Sequence, residues 1–286
     1  MKILESFLDW WKQNHSNYSA ALLDIDGTLL LGNVPIPNSD KFISFLKNTN
    51  FPFLLLTNDS IRSTSEKRAL LKKTGMNITP DEIISCGDAI KYVAEHFQLK
   101  GKKFLMLGTF GTPNYAEQHG IVITRDIREV DECYGVIVGE LNYDWESYIV
   151  TAINFFIKNR QALLIVPNPD SFWRSGIENN IHIGAGGIGR FICHILREYG
   201  IEKEPVYLGK PHEIIYLHTI EALKRRKLLS DEKDHKKIFV LGDSIKSDIM
   251  GAVKMGFTSG LLLTGVTTEE SLQSHTIKAD FIYRKI

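Results

Sequence analysis

The sequence is short of cysteine, and this shortage excludes a disulfide-built protein. It contains three cysteines, Cys86, Cys133 and Cys193, and no two of them form a Cys-x-x-Cys pair. An odd number of widely spaced cysteines predicts neither a disulfide framework nor a thiolate metal site. They are typical of reduced thiols in a cytosolic protein.

Net charge and long apolar runs are also missing. Thirty-four basic residues balance thirty-four acidic ones, so no overall field attracts a polyanion, and we expect no nucleic-acid partner. No uncharged apolar run approaches the roughly 18 residues of a membrane span.

Residues 1–11 have apolar side chains at helical spacing, but Glu5 and Asp9 interrupt them. This pattern predicts an amphipathic helix instead of a signal peptide. We expect a soluble, cytoplasmic protein that does not bind membranes.

The order of apolar segments predicts an α/β fold. Short runs rich in branched residues alternate with longer segments of helical period, such as Trp145 to Lys158. This alternation is typical of a parallel sheet covered by helices on both faces. The predicted core is a Rossmann-like parallel sheet.

Four of the apolar runs end in polar residues. Each run is followed directly by its polar group: Ala21–Leu23 by Asp24, Phe53–Leu56 by Thr57, Val206–Leu208 by Gly209-Lys210, and Phe239–Leu241 by Gly242-Asp243. Ligands of open α/β sheets bind outside the carboxyl ends of the strands, so these groups converge on one crevice if the four runs share a sheet.

A second series of strands and helices lies between the early and the late pair of runs. Its predicted strands are Phe104–Leu107, Ile121–Ile123, Val136–Val138 and Leu163–Val166. We interpret residues 84–204 as an inserted α/β cap domain. Residues 1–83 and 205–286 then form a discontinuous catalytic core.

Asp24-Ile25-Asp26-Gly27-Thr28 follows the first core strand. Alternation along an extended chain lets the two carboxylates point the same way, and Gly27 permits a sharp turn. Two carboxylates in different environments can act as a nucleophile and as a proton donor and acceptor. Taken alone, the segment is equally compatible with an ordinary Asp-Gly turn.

Further acidic residues follow the last of the four runs. Asp243 stands at the end of a strand and Asp248 in the first turn of the next helix, where an acidic residue also interacts favourably with the helix dipole. Together with Asp24 they form an all-oxygen set suited to Mg²⁺.

Thr57, Asn58 and Lys210 are the candidate phosphate-binding residues. A hydroxyl, an amide and free N–H groups at a helix start can hold phosphoryl oxygens. Lys210 precedes Pro211, at a predicted first helical position, and its charge would offset repulsion between a carboxylate and a phosphate.

This set of motifs resembles the haloacid dehalogenase superfamily of phosphatases, in the subfamily related to NagD and to the phosphoglycolate and pyridoxal phosphate phosphatases. The resemblance covers nearly the whole chain. It implies that Asp24 is the nucleophile and Asp26 the acid/base, with Thr57 and Asn58 as the second motif and Lys210 as the third.

The resemblance also implies Mg²⁺ as cofactor and a small-molecule phosphate ester as substrate. The metal ligands would be Asp24, the backbone carbonyl of Asp26, Asp243, and Asp248 through water. An α/β cap between the second and third motifs would supply Asn168 to the substrate and could form a homodimer interface. Many relatives carry a second asparagine where this chain has an aspartate, Asp59, whose role we leave open.

Other interpretations compete with the phosphatase. Gly184-Ala185-Gly186-Gly187-Ile188-Gly189 matches Gly-x-Gly-x-x-Gly and precedes an apolar helix from Phe191 to Leu196, as in a dinucleotide-binding oxidoreductase. That function requires a carboxylate after the next strand, where Lys210 stands. The glycines are better explained by close packing in the cap.

A catalytically silent phosphate-binding scaffold is a second alternative, and a phosphotransferase or mutase a third. The leaving group (nucleotide, sugar, glycolate or pyridoxal) is left open.

Overall fold

The computed structural model describes residues 2–174, 180–229 and 235–286. Its strands are β1 Ile3–Ser6, β2 Ala20–Asp24, β3 Leu30–Leu31, β4 Val34–Pro35, β5 Phe53–Thr57, β6 Ile83–Ser85, β7 Lys103–Leu107, β8 Val122–Thr124, β9 Gly135–Val138, β10 Leu163–Val166, β11 Phe172–Arg174, β12 Ile181–Ile183, β13 Val206–Tyr207, β14 Ile238–Gly242, β15 Thr258–Leu262 and β16 Phe281–Lys285. Its helices are α1 Phe7–Asn14, α2 Ser39–Asn48, α3 Thr64–Lys73, α4 Ile90–His96, α5 Tyr115–Gln118, α6 Trp145–Lys158, α7 Ala185–Glu198, α8 Glu213–Arg225 and α9 Met250–Met255. Of the helices in these described ranges, none has the length and apolar character needed to cross a membrane.

The larger sheet has seven parallel strands in the order β1-β16-β15-β14-β2-β5-β6. Successive side chains of a strand point to opposite faces. In β2, Leu22 packs into one apolar cluster and Leu23 into another, and Leu54 and Leu55 of β5 divide in the same way. Helices therefore cover both faces, which confirms the predicted α/β fold with a parallel-sheet core.

The smaller sheet has five parallel strands in the order β13-β10-β9-β7-β8. It contains all four strands of the second predicted series, and α6 has the predicted bounds. The apolar face shared by Phe104, Met106 and Ile137 continues into the cluster that covers one face of the larger sheet. The two sheets are thus joined by one buried apolar region.

The Val206–Leu208 run does not belong to the larger sheet. Its strand, β13, pairs with β10 at the edge of the smaller sheet, whereas β6, residues 83–85, pairs with β5 in the larger one. The chain therefore leaves the larger sheet slightly later than residue 84 and returns to it later than residue 205. An apolar run of this length predicts a strand but carries no information about its partner.

The N-terminal segment also differs from its prediction. Residues 3–6 form an edge strand paired in parallel with β16, and the helix begins only at Phe7, with Ser6 accepting a hydrogen bond from the Asp9 amide at 3.2 Å. Phe7 and Trp11 are fully buried against the larger sheet. A local helical period cannot reveal the strand because its partner lies at the other end of the sequence.

The carboxyl ends of β2, β5 and β14 meet at one edge of the larger sheet. β2 lies between β14 and β5, and the chain leaves β2 toward β5 but leaves its neighbour β14 in the opposite direction, toward β15. This is the topological switch point at which open α/β sheets bind ligands. Asp24, Thr57 and Asp243 are all placed there.

Candidate active site

Three carboxylates and one lysine form a buried cluster at this edge. Lys210 Nζ donates to Asp24 Oδ1 at 2.6 Å and to Asp248 Oδ1 at 2.7 Å. One carboxylate oxygen from each of Asp24, Asp243 and Asp248 lies within 4.8 Å of the others. Lys210, Asp243 and Asp248 are at most 2% exposed, and Asp24 is 7% exposed. The structure therefore brings these four predicted residues together.

Two glycines allow Asp243 to approach the turn after β2. Gly27 has a φ of +92°, in the left-handed region that favours glycine, and a Cβ there would collide with the Asp243 carboxylate. A Cβ at Gly265 would meet the same carboxylate. Asp243 Oδ2 also accepts the Val266 backbone N–H. The sharp turn predicted at Gly27 is thus confirmed.

The cluster carries more negative charge than Lys210 can balance. Burial raises the pKa of Asp24 well above its usual range; Lys210 opposes this rise, and repulsion from Asp248 and Asp243 adds to it. Burial and the neighbouring Asp248 raise the pKa of Asp243 to about 7. Burial opposes the charge of Lys210, but its two carboxylate partners dominate and raise the Lys210 pKa above its usual range. An added cation would relieve this repulsion.

This surplus charge is the observation that tests the fit of a metal. Magnesium prefers oxygen ligands and is commonly held by one or two carboxylates together with waters and phosphate oxygens. Asp24, Asp243 and Asp248 offer only oxygen. The donor set fits Mg²⁺: Lys210 pairs with Asp24 and Asp248, and Asp243 has no cation partner among the described residues.

Asp26 stands at the open side of the cluster. It is exposed to water, and its Oδ2 accepts a hydrogen bond from Thr57 Oγ1 at 3.3 Å. Desolvation by the surrounding protein raises the pKa of Asp26, and electrostatic repulsion from the nearby Asp59 raises it further. Because water still reaches this carboxylate, we regard its desolvation as partial. A solvated carboxyl group with a raised pKa is suited to exchange protons.

Thr57 and Asn58 lie beside the cluster, but not at a helix start. The next helix, α3, begins only at Thr64, with Ser63 as its N-cap, so the predicted helix start at Thr57 and Asn58 is wrong. Asn58 instead holds the backbone of Lys210: its Oδ1 accepts the Lys210 N–H at 2.9 Å and its Nδ2 donates to the Lys210 carbonyl at 2.9 Å.

Lys210 reaches the cluster from the smaller sheet. It follows β13, and the next helix, α8, begins at Glu213 with His212 as N-cap. Pro211 therefore lies before that helix, and its predicted position inside the first turn is wrong. A third hydrogen bond, from Lys210 Nζ to the Leu56 carbonyl at 3.2 Å, fixes the ammonium group.

The charge of Asp59 is compensated by groups that follow it in the chain. Its Oδ1 accepts the backbone N–H groups of Ile61 and Arg62 at 2.8 and 3.1 Å. Its Oδ2 lies 3.3 Å from Arg62 Nη1 and 3.9 Å from Lys67 Nζ. Two cations and two amides thus compensate the charge of Asp59.

The Gly-x-Gly-x-x-Gly segment packs against its own chain. A Cβ at Gly186 would collide with the Pro169 carbonyl, and one at Gly187 with the Ser171 carbonyl. The loop after β10 therefore covers the start of α7, where a dinucleotide would place its pyrophosphate. The glycines serve close packing within the smaller-sheet region.

Asn168 lies on this covering loop and is 4% exposed. Its Nδ2 donates to Glu140 Oε1 at 2.9 Å, and its Oδ1 accepts the Asp170 N–H at 2.9 Å. Both ends of the Asn168 amide are therefore occupied by protein groups. Its predicted contact with substrate stays a prediction.

Two acids near the cluster were not among the site residues predicted from the sequence, although Asp170 belongs to the segment that the resemblance places near the substrate. Asp170 Oδ2 accepts a hydrogen bond from Asn58 Nδ2 at 3.0 Å, and burial raises its pKa. Glu140 is 1% exposed, and burial raises its pKa to about 7. Glu140 follows the strand Val136–Val138, so the strand-end rule, if applied to the second series, would have found it.

Comparisons with known proteins agree with this geometry. A family model described as haloacid dehalogenase-like hydrolase matches residues 21–122. A second model, described as HAD-hydrolase-like, matches residues 207–286. The two matches together span well over half of the chain and include every residue of the charged cluster.

Individual relatives match along nearly the whole length. The acid sugar phosphatase of Staphylococcus saprophyticus is 26% identical over 277 residues, which are 94% of this chain and 96% of that protein. The solved p-nitrophenyl phosphatase from Archaeoglobus fulgidus is 26% identical with a TM-score of 0.75, covering 94% of this chain and 96% of the other. NagD from E. coli K-12 has a TM-score of 0.74 at 23% identity, with coverage of 94% and 96%, and shares the fold.

Proposed function

The chain belongs to the haloacid dehalogenase-like hydrolase family and is a phosphoric monoester hydrolase, and we propose that it hydrolyses a small-molecule phosphate monoester with Mg²⁺. In this reaction the phosphoryl group would be transferred transiently to Asp24. The observation that carries this proposal is the buried cluster of Asp24, Asp243, Asp248 and Lys210. We propose that the cluster binds the phosphoryl group at the carboxyl edge of the larger sheet.

Asp24 is the nucleophile in this proposal. It is the buried carboxylate that ends β2, and Lys210 holds one of its oxygens at 2.6 Å. A fixed carboxylate can attack phosphorus in line without first losing orientational freedom. The bound metal, held by Asp24, the Asp26 backbone carbonyl, Asp243 and, through water, Asp248, would supply positive charge against the phosphoryl oxygens.

Asp26 moves the protons. Its carboxyl group, held by Thr57 Oγ1 at 3.3 Å and accessible to water, would protonate the departing oxygen. The same group, now ionised, would accept a proton from the water that hydrolyses the acyl phosphate. Thr57, Asn58 and Lys210 would orient the phosphoryl oxygens during both steps.

The names of the relatives indicate where the search for a substrate should begin. One is called an acid sugar phosphatase and another a p-nitrophenyl phosphatase. We propose sugar phosphates as the first class of natural substrate to test, with nitrophenyl phosphate as an activated reference. The smaller-sheet domain, which covers the cluster, would contact the leaving group.

The test is phosphate release from a panel of monoesters with Mg²⁺, repeated in excess chelator. Asp24→Asn should abolish turnover while the circular dichroism spectrum is retained. Asp126→Asn is the matched control, because Asp126 pairs with Arg128 on the surface of the other domain. Activity that survives chelation would refute the metal, and near-normal activity of Asp24→Asn would refute the nucleophile. Tight NADH binding without phosphate release from any ester would favour the oxidoreductase.

A further inference from the structure

Glu140 is a buried acid that the proposed chemistry does not use. It follows β9 and is 1% exposed. Its Oε1 accepts from Asn168 Nδ2 at 2.9 Å and its Oε2 from Trp173 Nε1 at 2.7 Å. Among the described residues no Lys or Arg forms an ion pair with it. Burying a carboxylate without a cation is costly, so a specific arrangement of donors must compensate it.

The two side-chain donors belong to different parts of the domain that covers the site, and the Ala185 backbone N–H at the start of α7 also stabilises the charged form of Glu140. Asn168 lies on the loop after β10, and Trp173 lies on β11 of the two-stranded hairpin β11–β12. The Trp173 ring stacks on His182 of the opposite strand, with centroids 4.2 Å apart and planes inclined by 12°. Glu140, at the end of β9, is therefore hydrogen-bonded both to the β11–β12 strand pair and to the loop after β10.

The hydrogen bonds continue from this loop into the charged cluster. Asn168 Oδ1 accepts the Asp170 N–H at 2.9 Å, and Asp170 Oδ2 accepts from Asn58 Nδ2 at 3.0 Å. Asn58 in turn holds both backbone polar groups of Lys210, at 2.9 Å each. Lys210 Nζ lies 2.6 Å from Asp24. An unbroken row of contacts thus joins Trp173 to the nucleophile.

We propose that Glu140 is a positioning residue for catalysis, which sets the placement of Asn58 and Lys210 through Asn168 and Asp170. This inference rests on the phosphatase function proposed above. Since Asn58 and Lys210 act on the charge that develops during phosphoryl transfer, displacing them should lower kcat more than it raises KM.

Glu140→Gln is the decisive variant because Gln offers one acceptor where the site needs two. The indole N–H of Trp173 can only donate. If the NH₂ group of the new Gln faces Trp173, two donors face each other. If it faces Asn168, the Asn168 amide must flip to present its oxygen, and the Asn168 NH₂ group then faces the Asp170 N–H, which is also a donor. Every orientation leaves one buried donor without an acceptor.

The control is Glu132→Gln, the same exchange at a carboxylate of the same domain that is 67% exposed and pairs with Lys103. Relative to this control, Glu140→Gln should lower kcat at least ~5-fold with KM changed less than about 3-fold. Amide hydrogen exchange of the 168–174 segment should accelerate at least ~5-fold. Trp173→Phe removes one donor without adding a mismatch and should lower kcat in the same direction, but by less.

The outcomes separate this inference from the proposed function. An active wild type whose kcat is unchanged in both Glu140→Gln and Trp173→Phe overturns the positioning role and leaves the phosphatase intact. If Glu140→Gln fails to fold, an unchanged kcat in Trp173→Phe likewise overturns the positioning role. A wild type inactive on every monoester overturns the proposed function and this inference together.

Discussion

Replacing Lys210 with methionine perturbs the centre of the site most directly. The side chain keeps a similar length but loses the charge that lies 2.6 Å from Asp24 and 2.7 Å from Asp248. The residue is 2% exposed, so water cannot replace the ammonium group without rearrangement. Asp24, Asp243 and Asp248 would then face each other without an internal cation.

The expected loss follows from these contacts. One preorganised electrostatic contact to a transition state is worth about 3 kcal/mol, so kcat/KM should fall at least ~100-fold. Removing one partner of a buried ion pair also destabilises a fold by about 3–5 kcal/mol. Because the stranded carboxylates can take up protons, this loss of stability should be smaller near pH 5 than near pH 8.

The assay compares Lys210→Met with Lys203→Met. Lys203 is also buried, at 8% exposure, but its ammonium group donates to the carbonyls of Arg160 and Ala162 and has no carboxylate partner among the described residues. The control should lose stability and keep its activity. Phosphate release and thermal unfolding are measured on both. A Lys210→Met enzyme with kcat/KM within ~10-fold of the control would refute the reasoning about the phosphoryl contact.

Two further predictions concern protons. Because burial and Asp248 raise the pKa of Asp243 to about 7, the native metal-free protein retains protons that the unfolded chain releases above about pH 4, and its stability should fall as pH rises from there toward 7. Mg²⁺ should therefore raise Tm more at about pH 8 than at about pH 5; an equal shift at both would contradict the shared metal and proton site. Asp26→Asn should lower kcat/KM, which reports the steps up to departure of the leaving group, ~100-fold or more for a sugar phosphate but less for nitrophenyl phosphate, whose leaving group departs without a proton. Equal losses on the two esters would speak against the acid role.

The sequence predicted the cluster because strand ends are local features. Asp24, Thr57 and Asp243 each follow a short apolar run, and a parallel sheet necessarily brings such ends to one edge. Lys210 was placed correctly beside Asp24 for a partly wrong reason. Its strand, β13, belongs to the smaller sheet, and two hydrogen bonds between Asn58 and the Lys210 backbone hold it beside the cluster.

Features that depend on distant partners could not be predicted. Residues 3–6 pair with β16 at the far end of the chain, and no local period contains that information. Glu140 acquires its importance from Asn168 and Trp173, which are separated from it by 28 and 33 positions. The strand-end rule can single out such a glutamate as a candidate, but it gives no sign of these partners.

Covalent catalysis by Asp24 is tested most directly by trapping the acyl phosphate. Asp26→Asn supplied with nitrophenyl phosphate and Mg²⁺ should complete the first step, which needs no acid for this leaving group, and stall before hydrolysis. Acid quenching followed by peptide mapping should then find a hydroxylamine-sensitive phosphoryl group on Asp24, absent when Asp24→Asn is added. Nitrophenolate release by Asp26→Asn without any phosphorylated Asp24, or the same label in the double variant, would contradict the account.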